Sequence, residues 1–477
     1  MLGAFVTLKF NLQYYGAEQF GLYILLLSAW NFGLVFDFGL NTAIIRKVAE
    51  FNAQKDHGSL KASVLISLAL YFSIACGILF LIYSLISLIY LSADSIIPGS
   101  LKTEARVLSL ILGMNFFFQY LSNLFKAVYD GLEKFIVYSQ VIITYNVVLI
   151  ISNLTVVFLN GSLIEFAYTV FFASCFLFIV QFSIFLFNFR SVKSKFDISR
   201  SFLNAGIFKF GFNMQISTIL VSLIDPVIKY LIGNFLTIYN VSLYEIARRV
   251  SIAISGLFFN MYRTILPKVS TLSTYEEQRK YLTQEIMSFS RIGLLYSVLM
   301  FGLAILPLSF IIKTWFGNDT ILVLMIILAL PESVNNIGYP LYNFFIGIGK
   351  VKFLSAMQFV NITIISSSLA LSLSLSKSIY GLLGYFGTVL IVNLIMVRYI
   401  NSLMKTTFTM WIHTLGGYKI LLFYVAFFIA LYLAAVKPIN LYLPFLVISG
   451  SSFALFYREL YEYGTGIINN HRQRNDT

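Results

Sequence analysis

Charge is what this sequence has least of. Only 11% of its 477 residues are Asp, Glu, Lys or Arg, where soluble domains carry about 25%. Hydrophobic residues make up 59%, and the mean hydropathy is +0.85. A soluble core cannot absorb that much apolar surface, so the solvent for most of this chain is lipid. Cysteine is nearly absent. Cys76 and Cys175 lie far apart in apolar runs, which excludes a disulfide framework and a cysteine-based metal site. Histidine is nearly absent too. His57, His413 and His471 fall in loops or the tail, so no histidine-based catalytic cluster exists. No small-residue cleavage site follows the early apolar runs, so a cleavable leader is not expected.

What is there is a succession of apolar runs of membrane-spanning length. Spans are expected near 20–45, 62–91, 105–127, 136–159, 163–189, 210–232, 242–265, 286–314, 320–345, 353–375, 380–401, 419–436 and 441–460. Residues 1–14 read as the outer half of one more. The net charge of +13 suits an anionic ligand or nucleic acid at first sight, but its distribution says otherwise. Basic residues crowd alternate loops: Arg46, Lys47, Lys55 and Lys61; Lys126 and Lys134; Arg190, Lys193, Lys195, Arg200 and Lys209; Arg263, Lys268, Arg279, Lys280 and Arg291; Lys350 and Lys352; Arg398, Lys405 and Lys419; then Arg458, Arg472 and Arg474. The opposite side holds only Lys9, Lys102, Lys313, Lys377 and Lys437. The positive-inside rule then places the tail and the long loops in the cytoplasm. No nucleic-acid partner is expected. Outward loops are short. The longer inward connections 46–61 and 266–285 read as amphipathic segments in the headgroup region, or equally as solvated loops.

The halves of the chain resemble each other. "QFGLY" at 19–23 matches "NVSLY" at 240–244 in its Leu-Tyr, "RKV" at 46–48 matches "PKV" at 267–269, and "GLEK" at 131–134 parallels "GIGK" at 347–350. Their constant order and near-constant offset point to a parallel repeat of six spans, a common transporter plan with the substrate site between halves near the midplane. By the same alignment residue 1 falls opposite Ser222, inside a span. The first helix is therefore expected to lack its inner half, about 12 residues or about 18 Å.

Several stretches carry a family resemblance: Tyr15-Gly16, Gly21-Leu22-Tyr23, Phe36-Asp37-Phe38-Gly39-Leu40, Ala43, Ile45-Arg46, Ala49-Glu50 and the Gly131-Leu132-Glu133-Lys134 turn. With them the chain resembles polysaccharide flippases of the Wzx type, in the superfamily that also holds the MATE exporters and the lipid II flippases. The resemblance implies an all-α polytopic MATE-like fold of about fourteen transmembrane helices. Its parts would be a six-helix lobe over 1–190 with a truncated first helix, a cytoplasmic linker 191–209, a second six-helix lobe 210–401, two further helices in 402–460 and a cytoplasmic tail 461–477. It also implies outward movement of undecaprenyl-diphosphate-linked oligosaccharide across the bacterial cytoplasmic membrane. Lipid-linked oligosaccharide, membrane lipids and the polysaccharide polymerase and chain-length machinery would be the partners. No cofactor is implied beyond a proton or sodium gradient.

Seven charges sit inside expected spans: Asp37, Asp225, Lys229, Glu245, Arg248, Arg249 and Glu332. A charge at mid-bilayer costs roughly 2.5–3.5 kcal/mol on insertion scales and usually faces a bundle interior. Asp225 and Lys229 are spaced for an i,i+4 pair, and Glu245 reaches Arg248 or Arg249 in the same way. That leaves one arginine without a local partner, and a guanidinium fork suits a diphosphate. The alternative is that these arginines snorkel to the surface. Arg248, Arg249 and Lys229 are the basic substrate candidates. Asp37, Glu332 and Asp225 are the ion-coupling candidates, because desolvation brings carboxylates toward a range where they exchange protons. Asp37 has an equally simple structural reading, as a cap or bond to a neighbouring helix. Pro331, Asn335, Asn336, Gly338 and Pro340 around Glu332 predict a broken helix. Amide stripes add Asn115, Gln119 and Asn123 in one span, and Asn336 and Asn343 in its repeat equivalent. They suit a hydrated, sugar-binding lumen, or serve as interhelical glue.

Other classes fit less well. A MATE-like drug exporter, the runner-up, would favour an acidic, aromatic cavity; a lipid II flippase is a further alternative, since it would be strongly basic in its first helices, the part that the incomplete first span lacks. A glycan polymerase or ligase would need a sizeable outward loop, which is missing here. The chain is therefore not expected to be an enzyme.

Overall fold

The computed structural model describes residues 2–414, except 38–39, 92–96, 191–204, 260–261, 263–264, 271, 273, 298 and 302–318. The expected spans 419–436 and 441–460 and the tail lie outside the described residues. Among the described residues there is no strand. The helices are α1 (Leu2–Gly33), α2 (Leu40–Ala53), α3 (His57–Ile86), α4 (Lys102–Gly131), α5 (Phe135–Phe158), α6 (Leu163–Asn188), α7 (Ala205–Phe235), α8 (Ile238–Phe259), α9 (Ile265–Ser270) and α10 (Tyr275–Tyr281), then α11 (287–297), α12 (Asp319–Gly347), α13 (Val351–Ser376), α14 (Leu383–Met404) and α15 (Phe408–Thr414). Eight helical stretches among the described residues are long and apolar enough to cross a membrane. The chain divides into two compact units, Met1–Ser242 and Leu243–Thr477.

In the first unit, α1 is two helices joined at Gly16, whose φ of 79° and ψ of 160° no side-chain-bearing residue adopts without strain. This bend separates the first span from the second. The second span does not run on to residue 45 as the apolar pattern predicts. It stops at Gly33 and resumes as α2 at Leu40, so Asp37 lies at a break instead of inside a helix. Close packing is set by small residues: a Cβ on Gly113 would meet the Trp30 ring at 2.8 Å. Rings of α4 and α6 interleave along a seam, with Phe118 against Phe171 and Phe178, and Phe125 against Phe178, Phe182 and Phe185. Helix α7 packs against α1 in this unit.

In the second unit α8 is described to Phe259 and α9 from Ile265. Tyr262, Ile265, Ile286, Met287, Phe344, Phe345, Met396 and Trp411 build one apolar cluster between these elements. The break predicted around Glu332 does not form. Helix α12 runs unbroken from Asp319 to Gly347 with Pro331 and Pro340 inside it. Each proline removes a donor to the carbonyl four residues back, and at least one of those carbonyls is bonded from outside the helix, as described below.

The two corners that mark the sequence repeat fold alike, bond for bond. After α4, Leu132 N–H donates to Val128 O, Glu133 N–H to Asp130 O and Lys134 N–H to Tyr129 O. After α12, Ile348 N–H donates to Phe344 O, Gly349 N–H to Ile346 O and Lys350 N–H to Phe345 O. Each corner has its third residue in the left-handed region, Glu133 at φ 58° and Gly349 at φ 76°. Such a residue closes a helix by returning backbone donors to its last carbonyls.

Candidate functional site

The charged residues of the second unit come together on α8 and α12. Arg249 donates its Nε–H to Glu245 Oε1 at 2.6 Å, one turn back on α8. The Glu245 side chain is 6% exposed and that of Arg249 38%. A guanidinium carries five N–H donors, and this contact uses only the one at Nε, so the terminal nitrogens remain for a second acceptor. Arg248 begins ten residues into α8, about 15 Å along the helix. Its charge acts on Glu332 of α12, and Ser255, two turns further along α8, lies beside the same carboxylate. That carboxylate is not local in sequence, and with it the formal charges of Glu245, Arg248, Arg249 and Glu332 sum to zero. An excess of positive charge therefore gives no ground for excluding a cationic cargo.

Four residues beyond Glu332, Asn336 is fully buried. Its Nδ2–H donates to Ser297 Oγ at 3.0 Å. Its backbone carbonyl has no helical donor, because the residue four ahead is Pro340. Tyr262 supplies the missing bond, donating its hydroxyl to that carbonyl at 2.8 Å. Gly293 makes room: a Cβ there would lie 2.7 Å from the Tyr262 hydroxyl. Asn343 donates to Tyr339 O of its own helix at 3.0 Å.

In the first unit, Asp37 is the hub of the helix break. Asn41 donates to Asp37 Oδ2 at 3.0 Å, and Tyr71 of α3 donates to Asn41 Oδ1 at 2.9 Å. Carbonyls released by the break are taken up by side chains from other helices: Tyr120 of α4 donates to Phe36 O at 2.6 Å, and Gln215 of α7 donates to Val35 O. Sequence reading named Asp37 but not Asn41, Tyr71, Tyr120 or Gln215. No sequence signal marks them, since they matter only once the bend leaves carbonyls that require donors in an apolar setting. On α7, Asp225 and Lys229 form the expected i,i+4 pair at 2.8 Å, with the lysine side chain only 4% exposed.

The amides of α4 are bonded inside the lobe. Ser174 of α6 donates to Asn115 Oδ1 at 2.6 Å, and Gln119 lies 3.3 Å from Asn115 Oδ1, from the Tyr145 hydroxyl and from Ser174 Oγ. Asn115 is 1% exposed. This network ties α4, α5 and α6 together, which is the glue reading of those amides. Asn123, two turns beyond Asn115 and Gln119's neighbour on the same face, is half-buried.

Taken together, these elements define an all-α, multi-pass membrane protein with ion pairs within its helices. The chain belongs to a family: its residues 1–273 match the model for "Polysaccharide biosynthesis protein". It is 22% identical over 320 residues to a protein of Shigella flexneri provisionally described as an O-antigen transporter, a match covering 66% of this chain and 73% of that one. Its fold is similar to an inward-facing multidrug resistance MATE family transporter of the MOP superfamily, with a TM-score of 0.63 at 14% identity over 84% of this chain and 95% of the other. It is also similar to the lipid II flippase MurJ in an inward closed conformation, with a TM-score of 0.56 at 16% identity over 97% and 98% of the two chains.

Proposed function

We propose that this protein is a flippase that carries undecaprenyl-diphosphate-linked oligosaccharide from the inner to the outer leaflet of the cytoplasmic membrane, for surface polysaccharide assembly. The observation that carries the proposal is the family match over residues 1–273. The MOP-type fold supports transport as the activity.

The physical task is to move a diphosphate and a glycan through a medium in which charge is expensive, while the isoprenoid tail stays in lipid. Arg249 suits the diphosphate. Glu245 holds it by one edge, and the terminal nitrogens match two phosphate oxygens bidentately. Arg248, next to it in sequence and within electrostatic reach of Glu332, is proposed as a second basic contact. Lys229 with Asp225 plays the equivalent role on α7. Asp37, Glu332 and Asp225 are the carboxylates proposed to couple movement to a proton or sodium gradient. Asn123 and Asn336 are proposed to meet the glycan, with Asn115, Gln119 and Asn343 shaping that path through the bonds they make. The lobes proposed to alternate are 1–190 and 210–401, joined by 191–209 and followed by the helices of 402–460. The distribution of basic loops supports a cytoplasmic tail. The polymerase and the chain-length machinery would take the product.

Deleting the gene tests this. Lipid-linked oligosaccharide should accumulate on the cytoplasmic leaflet, and restoring the gene should clear it. If the glycan reaches the outer leaflet at the normal rate in the deletion strain, or if lipid II accumulates instead, the proposed cargo is wrong.

A further inference from the structure

In the first unit, α4 and α6 each carry a buried polar side chain at the same level of their shared seam. These helices run in the same direction, and their register is fixed by the 2.6 Å bond from Ser174 to Asn115 and by the ring pairs Phe118–Phe178 at 5.8 Å and Phe125–Phe185 at 6.1 Å. Two turns beyond Asn115 on α4 comes Ser122. Two turns beyond Ser174 on α6 comes Gln181. They have the same separation in sequence as the bonded pair, so they occupy the same level of the seam. Ser122 is 6% exposed and Gln181 fully buried. Neither the Ser122 hydroxyl nor either end of the Gln181 amide bonds to any protein group among the described residues.

That is costly as it stands. A buried amide without partners loses several kcal/mol of solvation, of the order of 2–7 kcal/mol. The usual escape for a helical serine is its own preceding turn, which Ser63, Ser67 and Ser297 all take. Ser122 does not take it. Phe118, Phe125, Phe178, Phe182 and Phe185 offer nothing polar in return. We propose that the Ser122–Gln181 level of the α4–α6 seam is an internal water site, holding at least one ordered water between the hydroxyl and the amide.

The chemistry selects water. The pair offers donors and acceptors together, and a buried water takes two to four such bonds. A metal cation finds only two neutral oxygens here and no carboxylate, far short of the shell that hard cations require. The site lies about 10 Å deeper than the Asn115–Gln119–Tyr145–Ser174 network, by helical rise over two turns. It therefore extends that network into a polar thread through an otherwise aromatic lobe.

Radiolytic hydroxyl-radical labelling of the whole protein in nanodiscs, in heavy-oxygen water with mass-spectrometric readout, tests the site. Radicals form at bound water, so Phe125 and Phe185, each one turn from the site, should label severalfold faster than Phe344 and Phe345, which are equally buried in the apolar cluster of the second unit. In a Ser122→Ala/Gln181→Leu variant their rate should fall to that of Phe344 and Phe345. Equal rates for all four rings in the unaltered protein would overturn the proposal. So would undiminished labelling in the double variant, or in Ser122→Ala alone should the double variant fail to fold.

Discussion

Replacing Tyr262 by Phe removes one oxygen atom and leaves the ring in its cluster. The oxygen bonds a carbonyl, that of Asn336, which Pro340 has stripped of its helical donor. A typical hydrogen bond contributes about 1 kcal/mol net, and a buried acceptor left without a partner costs about 1–3 kcal/mol. Bonds between membrane helices average nearer 0.6 kcal/mol with a maximum of about 1.7, because the unfolded helices find substitutes. Here the carbonyl has no substitute within its own helix, which places Tyr262→Phe near the upper end, at about 1.5 kcal/mol. The partner substitution is Pro340→Ala, which returns an N–H to the position from which Asn336 O is normally bonded. In that background Tyr262→Phe should cost less than half as much. Unfolding in mixed micelles, followed for the parent, both single variants and the double variant, gives the coupling directly. Equal costs of Tyr262→Phe in the two backgrounds would refute the idea that this tyrosine substitutes for the proline's missing donor.

Other outcomes follow from the same geometry. Arg249→Lys keeps the charge and loses the planar fork, so surface glycan display should fall almost as far as with Arg249→Gln while protein level holds. Display that Arg249→Lys preserves in full would remove bidentate phosphate binding from the proposal. Asp37→Asn keeps a group that can accept from Asn41, so folding and membrane level should hold while export loses its sensitivity to ionophores; unchanged ionophore sensitivity would take Asp37 off the coupling path. Gly131→Val places a Cβ 2.7 Å from the Ile45 carbonyl oxygen and should destabilise by about 1–3 kcal/mol through overpacking, read as a lowered melting temperature in detergent.

The sequence made the all-α membrane class legible, because apolar length and loop charge are local properties. The i,i+4 pairs Asp225–Lys229 and Glu245–Arg249 were legible for the same reason. The influence of Arg248 on Glu332 was not, since the two are some eighty residues apart and only the tertiary fold brings them within electrostatic reach. The break at Asp37 was hidden by composition: Leu34, Val35 and Phe36 are as apolar as any span interior, and nothing local says that Tyr120 and Gln215 wait to receive the freed carbonyls. The opposite error arose at Pro331 and Pro340. Two prolines read as a break, yet α12 continues because a tyrosine from a distant turn satisfies what Pro340 leaves open. The amides of α4 show the limit of pattern reading, for a stripe facing sugar and a stripe bonding Ser174 and Tyr145 have the same spacing.

The twin corners at 131–134 and 347–350 hold one left-handed position filled by two different residues. Where the later copy uses glycine, the earlier one asks a glutamate to sit at φ 58°, a posture costing about 1 kcal/mol. The duplicated design thus carries its own repair manual: transplanting the glycine as Glu133→Gly should relax the earlier copy, and the reverse graft, Gly349→Glu, should burden the later one by a similar amount.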